Sequence, residues 1–154
     1  MAKKKRHELS SCACLNLKMA SRTITQFYDG RFREIGLRST QFNLLAAIEE
    51  SGPVPMTRLA DILVMDRTTL NRDLKPLVRD GLIVVSPGED RRIRLVDLTE
   101  AGNAKLEEGL PVWKELQDDF YRAFGKKGWK TLMKGLEKST LVARKIARKK
   151  NAQG

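Results

Sequence analysis

The sequence predicts a mainly α-helical fold with one small β-wing, and three observations carry that prediction. From Leu59 to Gly102 the segment LADILVMDRTTLNRDLKPLVRDGLIVVSPGEDRRIRLVDLTEAG sets a short helical pattern against a longer one. It then changes to two strand-like runs about a turn at Pro87-Gly88, with arginines at Arg91, Arg92 and Arg94. On either side, over 8–36 and 99–148, apolar residues return at helical spacing. A helix pair running directly into a basic hairpin is a winged helix-turn-helix pattern, here 37–98, and the flanking N- and C-terminal helices read as dimerisation helices.

Each element has its own signals. From about Leu9 to Ile35 the residues Leu17, Ala20, Ile24, Phe27, Tyr28 and Phe32 form one stripe predicted to be buried, ended by Gly36. Ser39 is placed to cap a second helix with Phe42, Leu45 and Ile48 inward, closed by Ser51-Gly52-Pro53. A short third helix, about Thr57 to Leu63, buries Leu59, Ala60 and Leu63. Asp66 suits the N-cap of a fourth, which runs to Asp80 and stops at Gly81, with Leu70, Leu74, Leu77 and Val78 inward. Pro76 inside that helix removes a backbone donor and predicts a bend or a tightened last turn. Leu82 to Val85 reads as a strand, Pro87 to Asp90 as the turn and Ile93 to Leu98 as the return. Thr99 can cap a fifth helix whose stripe is Leu106, Leu110, Trp113, Leu116, Phe120 and Phe124, with a bend at Pro111. Glu100, with Glu107 or Glu108, lies near its start. After Gly125 a last helix carries Trp129, Leu132, Met133, Leu136 and Val142.

The totals bound the function. The chain has 154 residues, long enough for one domain with a real core, and is 41% hydrophobic and 32% charged. No apolar run approaches the ~20 residues of a membrane span. MAKKKRH is basic like a secretory n-region, but HELSSCACLNLK supplies no sustained apolar region after it. A cytoplasmic protein without membrane contact is expected. The net charge of +11 suggests nucleic acid, yet Lys3, Lys4, Lys5 and Arg6 hold +4 of it. Arg144, Lys145, Arg148, Lys149 and Lys150 hold another +5, leaving +2 for the residues between. Such ends either touch phosphates or are solvated tails. The flanking helices are too long and apolar for a small winged domain to cover. Their stripes predict either a two-fold dimer or a helical subdomain with its own core.

The fourth helix has a second face, with Arg67, Thr68, Asn71, Arg72, Lys75 and Arg79 opposite the leucines. Arginine can fork onto guanine, asparagine onto adenine, and threonine can meet a thymine methyl or a phosphate. Thr68, Thr69, Asn71 and Arg72 lie in the turns that usually enter the groove, while Lys75 and Arg79 suit phosphate. The wing tip adds Asp90, Arg91 and Arg92, and an arginine there fits a narrow minor groove. Asp90 either positions a guanidinium or serves as a turn residue. The bland alternative for the helix is an ordinary solvated face.

These residues resemble the MarR family of winged-helix repressors, over nearly the whole chain and as a single domain, 1–154. The likeness rests on LADILVMDRTTLNRDLKPLVRDGLI, then GEDRRIRLVDLTEAG, with one leading and two trailing helices in the family's order. It implies a triangular homodimer on a pseudo-palindromic operator in double-stranded DNA, often repressing nearby genes. It implies that Asp90 and Arg92 match the family's wing-tip Asp-x-Arg, Arg92 being the minor-groove contact. It also implies release of DNA when a small phenolic or aromatic effector occupies a crevice, here near Phe27, Tyr28, Phe42 and Trp113, or when a cysteine is oxidised.

Cys12 and Cys14 are the two cysteines, spaced C-A-C near the start of the first helix. With His7 the single histidine, no zinc site is predicted, and no metal or cofactor. One reading is two reduced, partly buried thiols. The resemblance supplies another, because the family's organic-hydroperoxide sensors carry a reactive cysteine on this helix. Counting back without a gap from Gln41-Phe42 places Cys14 at its position, and Tyr28 matches one of the tyrosines that engage it. Lys18 and Ser39 stand where two other tyrosines would be. No catalytic constellation is present: there is no nucleophile–base pairing, phosphate-cradling glycine loop or metal-ligand cluster, so an enzyme is not expected. The alternative that stays open is a winged-helix module binding a protein partner or RNA. Arg67, Asn71 and Arg72 argue for base edges, where a protein-docking face would carry aromatics.

Overall fold

The structure, a computed structural model, describes residues 9–151. Lys3, Lys4, Lys5, Arg6 and His7 lie outside the described residues, as does the side chain of Lys150. The chain divides into two units, Met1–Trp113 and Lys114–Gly154. A 3-10 turn (Leu9–Ser11) precedes α1 (Ala13–Phe32), which ends in a second 3-10 turn (Arg33–Ile35) and Gly36 at φ 71°. Then come α2 (Ser39–Ser51), β1 (Val54–Pro55), α3 (Met56–Leu63), α4 (Arg67–Arg79), β2 (Ile83–Pro87), β3 (Arg94–Leu98) and α5 (Glu100–Asn151). The backbone of α5 stays helical through Pro111 and breaks at Gly125 (φ 65°, ψ 163°), giving helices 100–124 and 126–151. Among the described residues no helix is long and apolar enough to cross a membrane.

Helix α4 is bounded by local chemistry at both ends. Asp66 Oδ1 accepts from the Thr69 N–H at 2.8 Å and Oδ2 from its hydroxyl at 2.6 Å, which satisfies the first turn. At the other end Gly81, at φ 70°, lets its N–H reach Val78 O (3.0 Å) and the Leu82 N–H reach Leu77 O (2.9 Å). This is a Schellman closure, set by the left-handed glycine, and α4 remains one helix through Pro76. The end of α3 has the same bonds, Met65 N–H to Ala60 O and Val64 N–H to Asp61 O. There, however, the left-handed position holds Val64 (φ 54°), where a β-branched side chain is strained.

Three antiparallel strands order as β1-β3-β2, with Val96 facing both Val54 and Val85 and fully buried. β1 is absent from the sequence reading, because two residues beside Pro53 carry no alternation signal. Its pairing comes from β3. The core of the first unit joins Leu70, Leu74 and Leu77 of α4 to Leu45, Ile48, Leu59 and Phe32. The Phe32 and Phe42 rings lie 4.8 Å apart, and a Cβ on Gly109 of α5 would stand 2.6 Å from Phe42 Cδ2.

Several expectations are corrected. Val78 is 46% exposed, because position i+8 from Leu70 lies well around the helix from the leucine seam. Ser39 is the first residue of α2, not its cap; it is buried, and its N–H and hydroxyl both donate to Asp29 Oδ1 of α1 at 2.7 Å. Gln41 Oε1 instead accepts from the Arg38 N–H at 2.9 Å. Leu63 is only half-buried. In the α1 stripe Phe32 alone is buried, while Leu17, Ile24 and Phe27 are exposed within the protomer. Thr99 does cap α5, accepting from the Gly102 N–H at 3.0 Å. Lys105 Nζ ties α5 to Ile35 O at 2.9 Å.

Two backbone positions give tests. Val64→Gly relieves a left-handed penalty of about 1–2 kcal/mol against a glycine entropy cost of about 0.5–1 kcal/mol. It should therefore raise Tm by about 2–4 °C; an unchanged or lower Tm in thermal melts would remove the strain argument. A Cβ on Gly102 would overlap the Leu82 carbonyl oxygen, a backbone atom that cannot swing away. Gly102→Ala should cost about 1–3 kcal/mol by overpacking, measured as a shift in the denaturant midpoint.

Candidate nucleic-acid interface

With its leucines buried, α4 presents Arg67, Thr68, Asn71, Arg72, Lys75 and Arg79 to solvent. Thr69 does not join them: it is half-buried, and its hydroxyl donates to Asp66 in the cap. The sequence assigned Thr69 to base edges, and the cap is the nearer claim on its only proton. The Asp66 carboxyl is held below the usual aspartate range by the Thr69 hydroxyl first and its N–H second.

The arginines are not isolated charges. Arg72 Nε donates to Asp73 Oδ1 at 3.0 Å and Arg79 Nε to Asp80 Oδ1 at 2.9 Å. Asp80 raises the already high pKa of Arg79 through that bond. Arg92 Nε donates to Asp90 Oδ1 at 3.2 Å with 90% of its side chain exposed. Each acid sits one or two positions away in sequence. A guanidinium held through Nε by a neighbouring carboxylate is oriented without being buried.

β2 runs further than the sequence suggests, to Pro87 opposite Arg94, and the chain reverses later, at Asp90 to Ile93. The Ile93 N–H donates to Asp90 O and the Gly88 N–H to Ile93 O, both at 2.8 Å. Asp90 Oδ1 also accepts from the Arg92 N–H at 3.0 Å. This Asx turn fixes the tip. The backbone N–H first, then the guanidinium, keep the Asp90 carboxyl below its usual range. Asp90 is therefore both of the things left open by the sequence, a turn residue and the holder of Arg92. Both depressed carboxylates support the fold above the ordinary aspartate range and lose that contribution as pH falls through their lowered values.

A model of the MarR family matches residues 35–93, from just before α2 to the wing tip. The chain is 30% identical over 118 residues to the uncharacterized HTH-type transcriptional regulator YwoH of Bacillus subtilis, covering 74% of this chain and 80% of that one. It is 28% identical over 103 residues to the HTH-type transcriptional repressor NicR of Pseudomonas putida, covering 66% and 65%. Its fold is similar to that of the M. tuberculosis transcriptional regulator MosR in complex with DNA, with TM-score 0.81, 33% identity, and 88% and 98% of the two chains covered. The chain belongs to the MarR family. Its members are transcriptional regulators, not enzymes.

The remaining residues singled out from the sequence of this MarR-family chain separate into distinct places. Cys12 is half-buried just before α1, its carbonyl accepting from the Asn16 N–H and side-chain amide. Cys14 is exposed in the first turn. Tyr28 lies fourteen positions along the same continuous helix, about 21 Å at 1.5 Å per residue. One chain does not bring Cys14 and Tyr28 together. Burial raises the Tyr28 pKa, and its ring meets Phe27 edge-on at 6.0 Å. Phe27 and Trp113 are partly exposed, but Phe42 is 3% exposed and belongs to the core with Phe32. Within the protomer, Phe42 is packing and not crevice lining. The sequence missed Asp73, Asp80 and Asp29 as partners; an acid directly following an arginine, as in Arg72-Asp73 and Arg79-Asp80, was the available signal.

The cap is testable alone. Asp66→Ala should lower Tm by about 2–4 °C through loss of the α4 cap, and Thr69→Ala by less. The double variant should fall scarcely further than Asp66→Ala in the same melts, since both remove one interaction; full additivity would mean the two residues act separately.

Proposed function

We propose that this chain is a homodimeric transcriptional repressor that reads a pseudo-palindromic operator in double-stranded DNA. The observation that carries this reading is the pairing of an exposed Arg-Asn face on α4 with an arginine held at the wing tip by its own Asp-x-Arg turn. The likeness to MosR solved on DNA supports it. Arg67, Thr68, Asn71 and Arg72 address base edges in the major groove, Lys75, Arg79 and Arg91 meet phosphates, and Arg92 enters the minor groove.

Dimerisation is supported by Leu17, Ile24 and Phe27 on α1 and by Met133 and Leu136 in the second unit, all exposed in one protomer. A two-fold axis would bury such stripes and set the two α4 helices into successive major grooves, one turn apart. Repression follows from position, since a dimer covering a promoter excludes polymerase without further contacts. NicR, a repressor, is among the relatives. As a DNA-binding regulator the chain acts in the cytoplasm, where bacterial relatives meet their chromosome.

Relief of repression has two routes. A small aromatic effector could stack beside Phe27, Tyr28 and Trp113. Alternatively a hydroperoxide oxidises the exposed Cys14 thiol to the sulfenic acid and is itself reduced to the alcohol. Cys14→Ser separates them, since a variant still released from DNA by peroxide removes the second route.

The test is a mobility shift on the DNA flanking the chain's own gene, with mixed-sequence competitor. Arg92→Ala should weaken operator binding at least about tenfold at fixed salt, and the protein should sediment as a dimer at micromolar concentration. A monomer, or Arg92→Ala binding like wild type, would overturn the reading. A shallow salt dependence would point to a protein partner, and preference for structured RNA to an RNA-binding role.

A further inference from the structure

The charge of this chain does not lie where the operator reading needs it. Residues 37–98, which contain α4 and the wing, hold nine Lys and Arg against nine Asp and Glu, a net charge of zero. Residues 126–151 hold ten cations (Lys126, Lys127, Lys130, Lys134, Lys138, Arg144, Lys145, Arg148, Lys149, Lys150) against Glu137 alone, a net +9. The break at Gly125 makes this segment a helix in its own right. At 3.6 residues per turn, every one of these cations except Lys150 falls within an arc of about 140°. All nine of those side chains are exposed. Thr131, Glu137 and Leu141 are the interruptions on that face, while Trp129, Leu132, Leu136, Ala143 and Ala147 centre on the opposite side.

From this placement we infer that helix 126–151 is a second, sequence-independent binding surface for duplex DNA, engaging backbone phosphates through its basic stripe. From Lys126 to Lys149 the stripe runs about 34 Å at 1.5 Å per residue, close to one turn of B-form DNA at about 34–36 Å. A duplex carries one phosphate charge per about 1.7 Å of axis, both strands counted, so a stripe of this length lies along about one turn and meets phosphates where the two strands cross the face turned towards it. Lysine dominates it, and lysine serves as a point charge on phosphate without reading bases. An anionic membrane is the other polyanion. A helix lying in a membrane interface needs bulky side chains opposite its charges. Here the turns holding Arg144, Lys145, Arg148 and Lys149 are backed by Ala143, Ile146 and Ala147, too little apolar area to insert. A dimer closed through the apolar side would leave the stripe outward.

The experiment uses full-length protein and a mixed-sequence duplex of about one to three turns lacking the operator. In one variant Lys134, Lys138, Lys145 and Lys149 become Gln, which keeps helix propensity and removes charge. In a second, the same four become Arg. A third carries Arg72→Ala and Arg92→Ala. The Gln variant should lose affinity at least tenfold in low salt, and its log K against log salt slope should be shallower by about 3.6, or 0.9 per phosphate contact. The Arg variant should match wild type. On this duplex the Arg72→Ala/Arg92→Ala protein should lose less affinity and less salt slope than the Gln variant while losing operator preference, so failure here and failure of the operator reading give different results. If circular dichroism shows lost helix in the Gln variant, Lys138→Gln with Lys145→Gln replaces it, with half the slope change. Wild-type affinity and slope in the Gln variants overturn the inference. So does an Arg variant as weak as the Gln one, or binding to phosphatidylserine vesicles that the Gln variant loses while its duplex affinity is unchanged.

Discussion

At Gly81 and Leu82 the reading helix, the wing and α5 are tied together by the backbone itself. The Gly81 and Leu82 N–H groups close the end of α4, while their carbonyls accept from the Thr99 hydroxyl (2.6 Å) and N–H (3.1 Å) at the start of α5. Thr99 then caps α5 through Gly102, whose missing side chain lets that first turn lie against Leu82. A hinge needs residues free to change φ and ψ. Here the left-handed glycine, the paired carbonyls and the close packing leave no such freedom, so α4 and β2 leave the joint in fixed directions. The proposed two-groove reading of one duplex requires that rigidity, because neither the helix nor the wing could adjust without spoiling the other's contacts.

On that rigid frame the charged side chains are the adjustable parts. Arg72, Arg79 and Arg92 each rest on a neighbouring aspartate, in exposed pairs of the kind that contribute little to stability. A phosphate or a guanine edge can replace the carboxylate as acceptor at small cost, and the arginine starts from an ordered position. Asp90 differs from Asp73 and Asp80 because it also holds the Arg92 backbone N–H. It can keep the turn while the guanidinium swings to DNA.

What could be read from the sequence was what short-range chemistry decides. Asp66, Gly81 and Thr99 act on groups within three or four residues, and their roles were legible. Ser39 looked like the same kind of cap, but Asp29 reaches it from α1 and takes both its donors, which no local pattern reveals. β1 exists because β3 offers it an edge, and Gly102 matters because Leu82 passes overhead; both depend on residues distant in the chain. The α1 helix followed from its spacing but the burial of its stripe did not, since periodicity says only that a face is apolar, not whether its own chain or another covers it. Of the recognition residues, the exposed face of α4 followed directly from the leucine spacing, while the division of Thr69 to the cap required coordinates.

The separation of charge from reading has a physical use. A protein whose base-reading face were strongly cationic would bind every duplex tightly through counterion release, and specific sites would gain little over the excess of others. With zero net charge over 37–98 and three of its arginines in direct ion pairs with neighbouring acids, this region by itself exerts little net long-range attraction on phosphate. A +9 helix elsewhere in the chain can supply the general attraction, holding the protein near DNA without fixing its register. Affinity and discrimination then respond to different residues, and salt acts mainly on the first.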